Sequence, residues 1–398
     1  MKIAVIGSGI WGACTAYSLR KSGVEVDLYD MWGPGNARSG SGGSSRIIRL
    51  TYGKDNIYSE LTNASFSFWE KLSKKNNEKL YIENGMLWLV TQNDSSYVEK
   101  SIPIIKSLGH QIENLPISIA KKTYPIINFN GVKKVYLEKK AGILLASRCC
   151  KKVVKEFQKI GGSLIIGEVN IKENKLTEGN GVLINNKKIT ADQYIIACGP
   201  WNNKVLPKFF KNITYTSRQE VYFFSVPNRN AENYGIENMP CWMDLNEKTP
   251  TYYGMPFHLN KGFKIAYDER STSFDPDTSD RIPMSKLIER TKKYIYNRFP
   301  GLKGLPITES KVCQYENSID GNFIIGRHTK SKNVLILGGS SGHGFKMGPG
   351  IGELVKDVLL NNKKIPSFFN KSRLEESKNS SQYYNAQIKY DTNKRFFN

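Results

Sequence analysis

The sequence predicts an α/β chain, α+β overall, in which a nucleotide-binding parallel sheet is joined to a second domain built on an antiparallel sheet. Three observations lead there. A strand–turn–helix–strand unit fills the first 30 residues. Short apolar strands running into glycine turns recur at 194–201 and 333–344. Between Tyr215 and Tyr267 the pattern becomes strands of alternating polarity, as expected where one sheet face meets solvent.

The N-terminal unit is the most specific of these. An apolar run from Lys2 to Ile6 stops at Gly7-Ser8-Gly9-Ile10-Trp11-Gly12, a G-x-G-x-x-G turn. Residues 13–22 read as a helix closed by Gly23, and 24–29 as a second strand with Asp30 at its end. Gly7 permits the tight turn, Gly9 lets the backbone approach a pyrophosphate, and Gly12 lets the helix pack closely on the strand. The helix N-terminus offers unpaired N–H groups and partial positive charge to the phosphates. Asp30 suits a ribose 2′-OH. Together these predict a Rossmann-like dinucleotide site; the motif does not separate NAD from FAD.

Composition sets the outer limits. A length of 398 residues fits two domains, and 39% hydrophobic content suffices for a packed core in a chain this long. There is no apolar run of about 18 residues, so no membrane span is expected. The chain enters its first strand at once, leaving no room for a signal peptide. Six cysteines without a C-x-x-C pair suggest a reduced, cytoplasmic protein and no metal centre. The formal charge of +22 is large, but the lysines are spread along the chain rather than blocked. A solvated lysine surface is the expected reading, with a polyanionic partner as the alternative.

Further along, a glycine-rich loop carries Gly40, Gly42, Gly43, Ser44 and Ser45 into Arg46-Ile47-Ile48-Arg49. On a helical turn Arg46 and Arg49 would share a face, one neutralising cofactor charge and the other clamping a substrate carboxylate. Helices are expected over 56–75, 95–108, 117–124, 149–160, 284–298 and 349–361. Strands are expected over 85–90, 142–145, 163–167, 194–198, 220–226, 241–244, 251–254, 263–267 and 333–337. The run 142–167 repeats the βαβ style of the N-terminus, and 171–190 suggests a polar β-meander. Residues from Lys371 onward read as a surface helix or loose tail.

With these motifs in order, the chain resembles the monomeric sarcosine oxidase family, with N-methyltryptophan and pipecolate oxidases, inside the larger D-amino-acid-oxidase-like flavoproteins. The resemblance is carried by the N-terminal fingerprint and by Gly-Ser-Ser-Arg46-Ile-Ile-Arg49 with Tyr52-Gly53. It is carried also by Cys198-Gly199-Pro-Trp201, Lys311-Val-Cys313-Gln-Tyr315, Phe323-Ile-Ile-Gly326 and Ser341-Gly-His-Gly-Phe-Lys346. It covers about residues 1–370.

The resemblance implies a two-domain flavoenzyme. FAD would lie in a discontinuous domain of 1–87, 141–213 and 308–370. A substrate or cap domain of 88–140 and 214–307 would carry the antiparallel sheet, with 371–398 as a polar tail. The implied cofactor set is Gly7, Gly9, Ile10, Trp11, Gly12, Asp30, Ser44, Ser45, Arg46, Val169, Gly199 and Trp201, continued by Cys313, Gly342, His343, Gly344, Phe345 and Lys346. Cys313 matches the cysteine joined to the flavin as a thioether. Lys264 matches the lysine that activates O2 by a fixed positive charge. Arg49 and Lys346 match the pair that holds the substrate carboxylate, Tyr253 matches a site tyrosine, and His343 is expected to shape its loop rather than act as a base. Asp268 stands where the sarcosine-type enzymes carry a histidine, which puts sarcosine itself in doubt and offers an acid to a substrate ammonium or hydroxyl, or to Arg270.

The implied activity is oxidation of a small secondary amine or N-methyl or cyclic amino acid by a monomer. A hydride equivalent passes to flavin N5, the imine hydrolyses and O2 becomes H2O2. Two alternatives stand beside it: a flavoprotein oxidising an N-carboxymethyl-type group on tRNA, favoured by the charge, and a flavin-binding protein without turnover.

Overall fold

The computed structural model describes residues 1–176, 181–246, 251–270 and 273–376. The described strands form two large sheets. The first is six-stranded, in the order Ile324–His328, Ser331–Gly338, Gln193–Ile196, Lys2–Ile6, Glu25–Asp30, Ser163–Ile166. All its neighbours are parallel except the edge pair Ile324–His328 and Ser331–Gly338. Its central strand is almost wholly apolar and buried, as a sheet covered on both faces requires.

The helix Ile10–Lys21 starts three residues before the expected position, directly at the glycine turn. Gly7 adopts φ +105°, and a Cβ there would lie 2.3 Å from the Ala197 carbonyl oxygen. A Cβ on Gly12 would lie 1.9 Å from the Gly7 carbonyl oxygen. Both glycines are thus required by backbone-to-backbone contact. The same helix packs on Gly348–Leu360, where a Cβ on Gly352 would sit 2.7 Å from the Cys14 carbonyl oxygen.

The second sheet is eight-stranded, ordered Ile307–Ser318, Thr214–Phe224, Phe263–Tyr267, Tyr252–Met255, Cys241–Leu245, Met86–Val90, Lys134–Glu138, Ile112–Leu115. The strands between Thr214 and Tyr267 pair antiparallel with one another, as expected; the sheet is mixed only because Cys241–Leu245 also runs parallel to Met86–Val90. The strands Met86–Val90 and Ile307–Ser318 both belong to this sheet. Domain boundaries at 87/88 and 307/308 would therefore fall inside, or separate, its own strands.

Three local expectations are corrected. Arg46–Ile48 is a strand pairing with Gly142–Leu144, not a helical turn, because the β-branched Ile47 and Ile48 complete a small three-stranded sheet with Tyr81–Glu83. The run 142–167 is not a βαβ unit, since Gly142–Leu144 lies in that small sheet while Ser163–Ile166 joins the large one. The expected helix 95–108 is two helices, Ser96–Glu99 and Ser101–Ser107, and it is followed by the unforeseen strand Ile112–Leu115. The meander expected at 171–190 is realised in part, with Val169–Ile171, Val182–Ile184 and Lys187–Lys188 antiparallel and a helix at Glu173–Leu176; residues 177–180 lie outside the described ones. Of the expected tail, Ser372–Glu376 is helical and 377–398 lie outside the described residues.

Gly12→Ala should destabilise the fold by about 1–3 kcal/mol or more, because backbone cannot yield as a side chain tip can. A lowered thermal midpoint with reduced flavin retention would be the measurement; an unchanged midpoint would show that the helix can lift off its strand.

Candidate active site

A cleft of about 400 Å³ opens at the end of the first strand, between the start of the helix Ile10–Lys21 and the loop before Gly348–Leu360. Of the sequence-predicted cofactor residues, Gly7, Gly9, Ile10, Trp11, Asp30 and Arg46 line it from the N-terminal part. Val169, Gly199 and Trp201 line it from the middle of the chain, and Gly342, Gly344 and Phe345 from the C-terminal loop. Gly12, Ser44, Ser45, Cys313, His343 and Lys346 lie outside the lining. Tyr315, Glu316 and Trp32, absent from the predicted set, are part of it.

The residues present fit a dinucleotide. Gly9, in extended conformation, precedes the helix, and Gly9, Ile10 and Trp11 bring its N-terminus to the cleft wall, where the Ile10 N–H donates to Ser41 Oγ at 2.9 Å. The Asp30 carboxylate accepts N–H bonds from Ser8 (2.7 Å), Trp32 (2.8 Å) and Gly33 (2.7 Å), which hold it at the cleft wall. Arg46 donates to the carbonyls of Gly40 (3.1 Å) and Gly42 (2.9 Å) and so ties the glycine loop around its own charge. Ser8 Oγ, Ser44 Oγ and Gln314 Oε1 are buried without a hydrogen-bond partner among the described residues. Such groups are costly unless something satisfies them. Glu316, also at the cleft, accepts from Asn202 Nδ2 at 2.8 Å, and burial pushes its carboxyl up to about 7.

Beside the cleft is a buried cluster of cations. Lys346 lies in the turn Phe345–Met347, and its Nζ donates to Tyr52 Oη (2.7 Å) and the His343 carbonyl (2.9 Å). Arg49 follows the strand Arg46–Ile48; its guanidinium lies 4.3 Å from the Tyr52 ring centroid and 5.2 Å from that of Trp88, and donates to the Thr51 carbonyl. Burial, then the Arg49 charge, holds the Lys346 ammonium well below the ordinary lysine value. Glu138 is fully buried nearby and accepts from the Leu50 N–H and from Thr51 Oγ1 at 2.6 Å; burial pushes its carboxyl up. Sequence reasoning missed Glu138, and a lone acid at the end of an ordinary strand carries no signal.

Lys264 reaches from the eight-stranded sheet into the glycine loop, where Nζ donates to the Ser45 carbonyl (2.9 Å) and Oγ (3.2 Å). Burial, then the charge of Arg46, lowers its ammonium to about 7. Tyr253 Oη and Tyr315 Oη are 2.9 Å apart, and burial with the nearby Asp268 charge pushes the Tyr253 phenol up to about 12. Asp268 is paired with Arg270 at 3.3 Å. Cys313 is a half-buried free thiol packed with Val221, Phe223 and Ala266. It faces Gln219 across the sheet, and Lys264 and Arg281 are within its electrostatic reach. His343 bonds through Nε2 to the Gly321 carbonyl (3.1 Å) and stacks on Phe323 at 4.7 Å. Burial and the Lys346 charge hold its imidazole neutral.

The chain is a flavin-dependent oxidoreductase. It belongs to the DAO family, FAD dependent oxidoreductase, whose description matches residues 2–358. It is 26% identical to monomeric sarcosine oxidase of Bacillus sp. (strain B-0618), over 91% of this chain and 92% of that one. It is 24% identical to N-methyl-L-tryptophan oxidase of Salmonella arizonae, over 92% and 96%. Its fold is similar to that of L-proline dehydrogenase from P. horikoshii, with TM-score 0.79 and 22% identity over 94% and 97% of the two chains. Among the described residues no helix is long and apolar enough to cross a membrane and no cluster of metal-ligating side chains occurs.

The depressed Lys346 ammonium gives a signed pH dependence. A small carboxylate bound at Arg49 and Lys346 would draw a proton onto Lys346, so binding takes up protons. Affinity for acetate should fall as pH rises through the window between the free and bound lysine values. Titration across that range should follow this direction; affinity independent of pH would show that Lys346 is not part of the anion site.

Proposed function

We propose that this chain is an FAD-dependent oxidase of a small secondary amine or amino acid, of N-methyl or cyclic type, that uses O2 as acceptor. The observation that carries the reading is the pairing of Arg49 and Lys346, two buried cations sharing Tyr52, next to a cleft whose walls suit a dinucleotide. Two buried cations raise each other's cost, and an anion seated between them relieves it. A substrate carboxylate on that pair is oriented in two dimensions by the planar guanidinium and in the third by the ammonium.

Bound FAD supplies the two-electron acceptor that no side chain can provide. The chain's residues do the remaining work. Arg49 and Lys346 hold the carboxylate, and the burial of Tyr52, Trp88 and His343 excludes water. Tyr253 and Tyr315, hydrogen-bonded to each other, form a polar wall where a substrate amine is received. His343, held neutral, adds no competing charge. In the net reaction a C–H and an N–H hydrogen leave the substrate, water hydrolyses the imine, and O2 becomes H2O2.

Lys264 is assigned to O2. Its Nζ is positioned by the Ser45 carbonyl and hydroxyl, and in its protonated form it offers a positive charge to oxygen as that molecule gains electrons. Cys313 is assigned as the covalent tether of the FAD. It adjoins cleft residues Gln314 and Tyr315 on the strand Ile307–Ser318. The two-domain division, with FAD in the six-stranded part and the eight-stranded sheet as cap, is part of the same proposal, as is action as a monomer.

Two experiments test these assignments. Acid-precipitated wild type should stay yellow, and Cys313→Ala should release its flavin to the supernatant; release from wild type would sink the covalent assignment. Lys264→Met should slow reoxidation by O2 by roughly 100-fold or more while slowing anaerobic reduction by substrate far less. Equal slowing of both half-reactions would refute the role given to Lys264.

A further inference from the structure

Glu316 lines the cofactor cleft, yet none of the roles assigned above uses it. The residue is only 4% exposed. Its Oε1 accepts from Asn202 Nδ2 at 2.8 Å, and that Nδ2 donates also to the Leu337 carbonyl at 3.0 Å. Asn202 is fully buried, and its Oδ1 accepts the Cys198 N–H at 3.1 Å. Cys198 in turn borders the dinucleotide turn, since a Cβ on Gly7 would lie 3.3 Å from the Cys198 nitrogen. A Cβ on Gly338 would lie 2.9 Å from Glu316 Oε1. The carboxyl therefore sits at the carboxyl ends of the neighbouring strands Lys2–Ile6, Gln193–Ile196 and Ser331–Gly338, one side chain away from the first glycine of the fingerprint. Ligands of open α/β sheets bind at such strand ends.

The groups that face this carboxyl carry no positive charge. They are Asn202, Cys198, Thr216 opposite it on the adjacent strand, and the backbone of Gly338, Gly339 and Ser340. Arg46 and Lys204 line the same cleft, but Arg46 holds the carbonyls of Gly40 and Gly42, and Lys204 holds Asp275 and Asp277. Burial is the largest influence on Glu316 and pushes it up, against Asn202 and the N–H groups of Gly339 and Ser340. Ionised, it would stand in the same cleft as a diphosphate, and the two negative charges would oppose each other in a site of low dielectric. Neutral, it removes that repulsion and adds a donor where phosphates bring only acceptors.

We propose that Glu316 is the proton-linked residue of the cofactor cleft: bound FAD holds its carboxyl protonated, and FAD binding takes up a proton there from solvent. The proton returns to solvent on release, and no bond to the cofactor forms. This goes beyond the oxidase reading and depends only on the cleft being that of FAD. The sign follows from linkage. The carboxyl holds its proton to higher pH with FAD bound than without. Affinity is therefore greatest where the free carboxyl is already protonated, and it falls as pH rises from about 7 toward the bound value. Lys264, lowered to about 7, loses its positive charge in the same window and weakens anion binding in the same direction. The part due to Glu316 is the difference between proteins that share Lys264 and differ at Glu316.

The test measures reversible FAD binding by full-length Cys313→Ala protein, with and without Glu316→Gln, by flavin fluorescence from about pH 6 to about pH 9. Across that range the protein that keeps Glu316 should lose roughly 10- to 50-fold more affinity than the Gln variant. Calorimetry at about pH 8 in two buffers of different ionisation enthalpy should show it taking up roughly 0.5–1 proton more. Parallel pH curves overturn the proposal, even if Gln lowers affinity by a constant factor, because a purely structural Glu316 would do only that. Absence of net proton uptake by the protein that keeps Glu316 overturns it as well, and that measurement stands if the Gln variant fails to fold. Both readouts follow binding alone, so they are separate from whether any amine is oxidised.

Discussion

The fold holds two positive charges together away from water, and much of its architecture can be understood from that. Arg49 and Lys346 share Tyr52, are both almost wholly buried, and each raises the cost of the other. In a low-dielectric interior this repulsion is large compared with the few kcal/mol by which a domain is stable. The structure tolerates it through Glu138, through carbonyls that accept from each cation, and through a lysine that can shed its proton. None of these relieves the repulsion as well as an anion seated between the cations. The site is therefore predisposed to a ligand of one charge sign before any recognition of shape begins.

Keeping those cations in place requires segments far apart in the chain to be fastened together. Trp11 Nε1 donates to the Gly344 carbonyl and Trp69 Nε1 to the Lys346 carbonyl, each at 2.9 Å. These bonds fix the C-terminal loop against the N-terminal helix and against the helix Asn56–Lys75. Lys264 fastens the eight-stranded sheet to the glycine loop by the same means, a buried polar head on a backbone carbonyl. Each of these polar heads would be costly to bury without its partner, so the bonds specify one arrangement more sharply than apolar packing does. The glycines complete the logic, since the closest approaches between segments are made by backbone where no side chain fits.

This division explains which parts were legible in the sequence. Glycine positions were, because a motif such as Gly7-x-Gly9-x-x-Gly12 encodes a steric demand that only one residue type meets. The long helix Asn56–Lys75 and the buried strand Lys2–Ile6 were, because periodicity and apolarity act locally. The geometry linking Arg46 to Arg49 was not. A spacing of three suggests a shared helical face, but the pairing of Arg46–Ile48 with Gly142–Leu144 decides the backbone, and that partner lies almost a hundred residues away. Glu138 was illegible for the same reason, since its role depends on donors from Leu50 and Thr51. The strand Ile307–Ser318 lay between. Its Cys313 and Tyr315 segment was noticed as a motif, but its place in the eight-stranded sheet depends on Thr214–Phe224.

That strand shows how one element serves two sites. In an extended chain alternate residues face opposite ways, and the strand uses both faces. Cys313 packs with Val221, Phe223 and Ala266, and Tyr315 bonds to Tyr253, all within the eight-stranded sheet. Gln314 donates to the Arg38 carbonyl and Glu316 accepts from Asn202, which also donates to the Leu337 carbonyl of the six-stranded sheet. Odd positions thus pack within the eight-stranded sheet and even positions bond outside it, while Gln314, Tyr315 and Glu316 all line the cleft. A slip of one residue would exchange the two sets and destroy both sites at once. The register is held by pairing that runs from Thr214↔Ser318 to Phe224↔Ile307, interrupted only by an irregularity at Phe223/Phe224, at the end away from the site. This ladder keeps the alternation in phase along the strand.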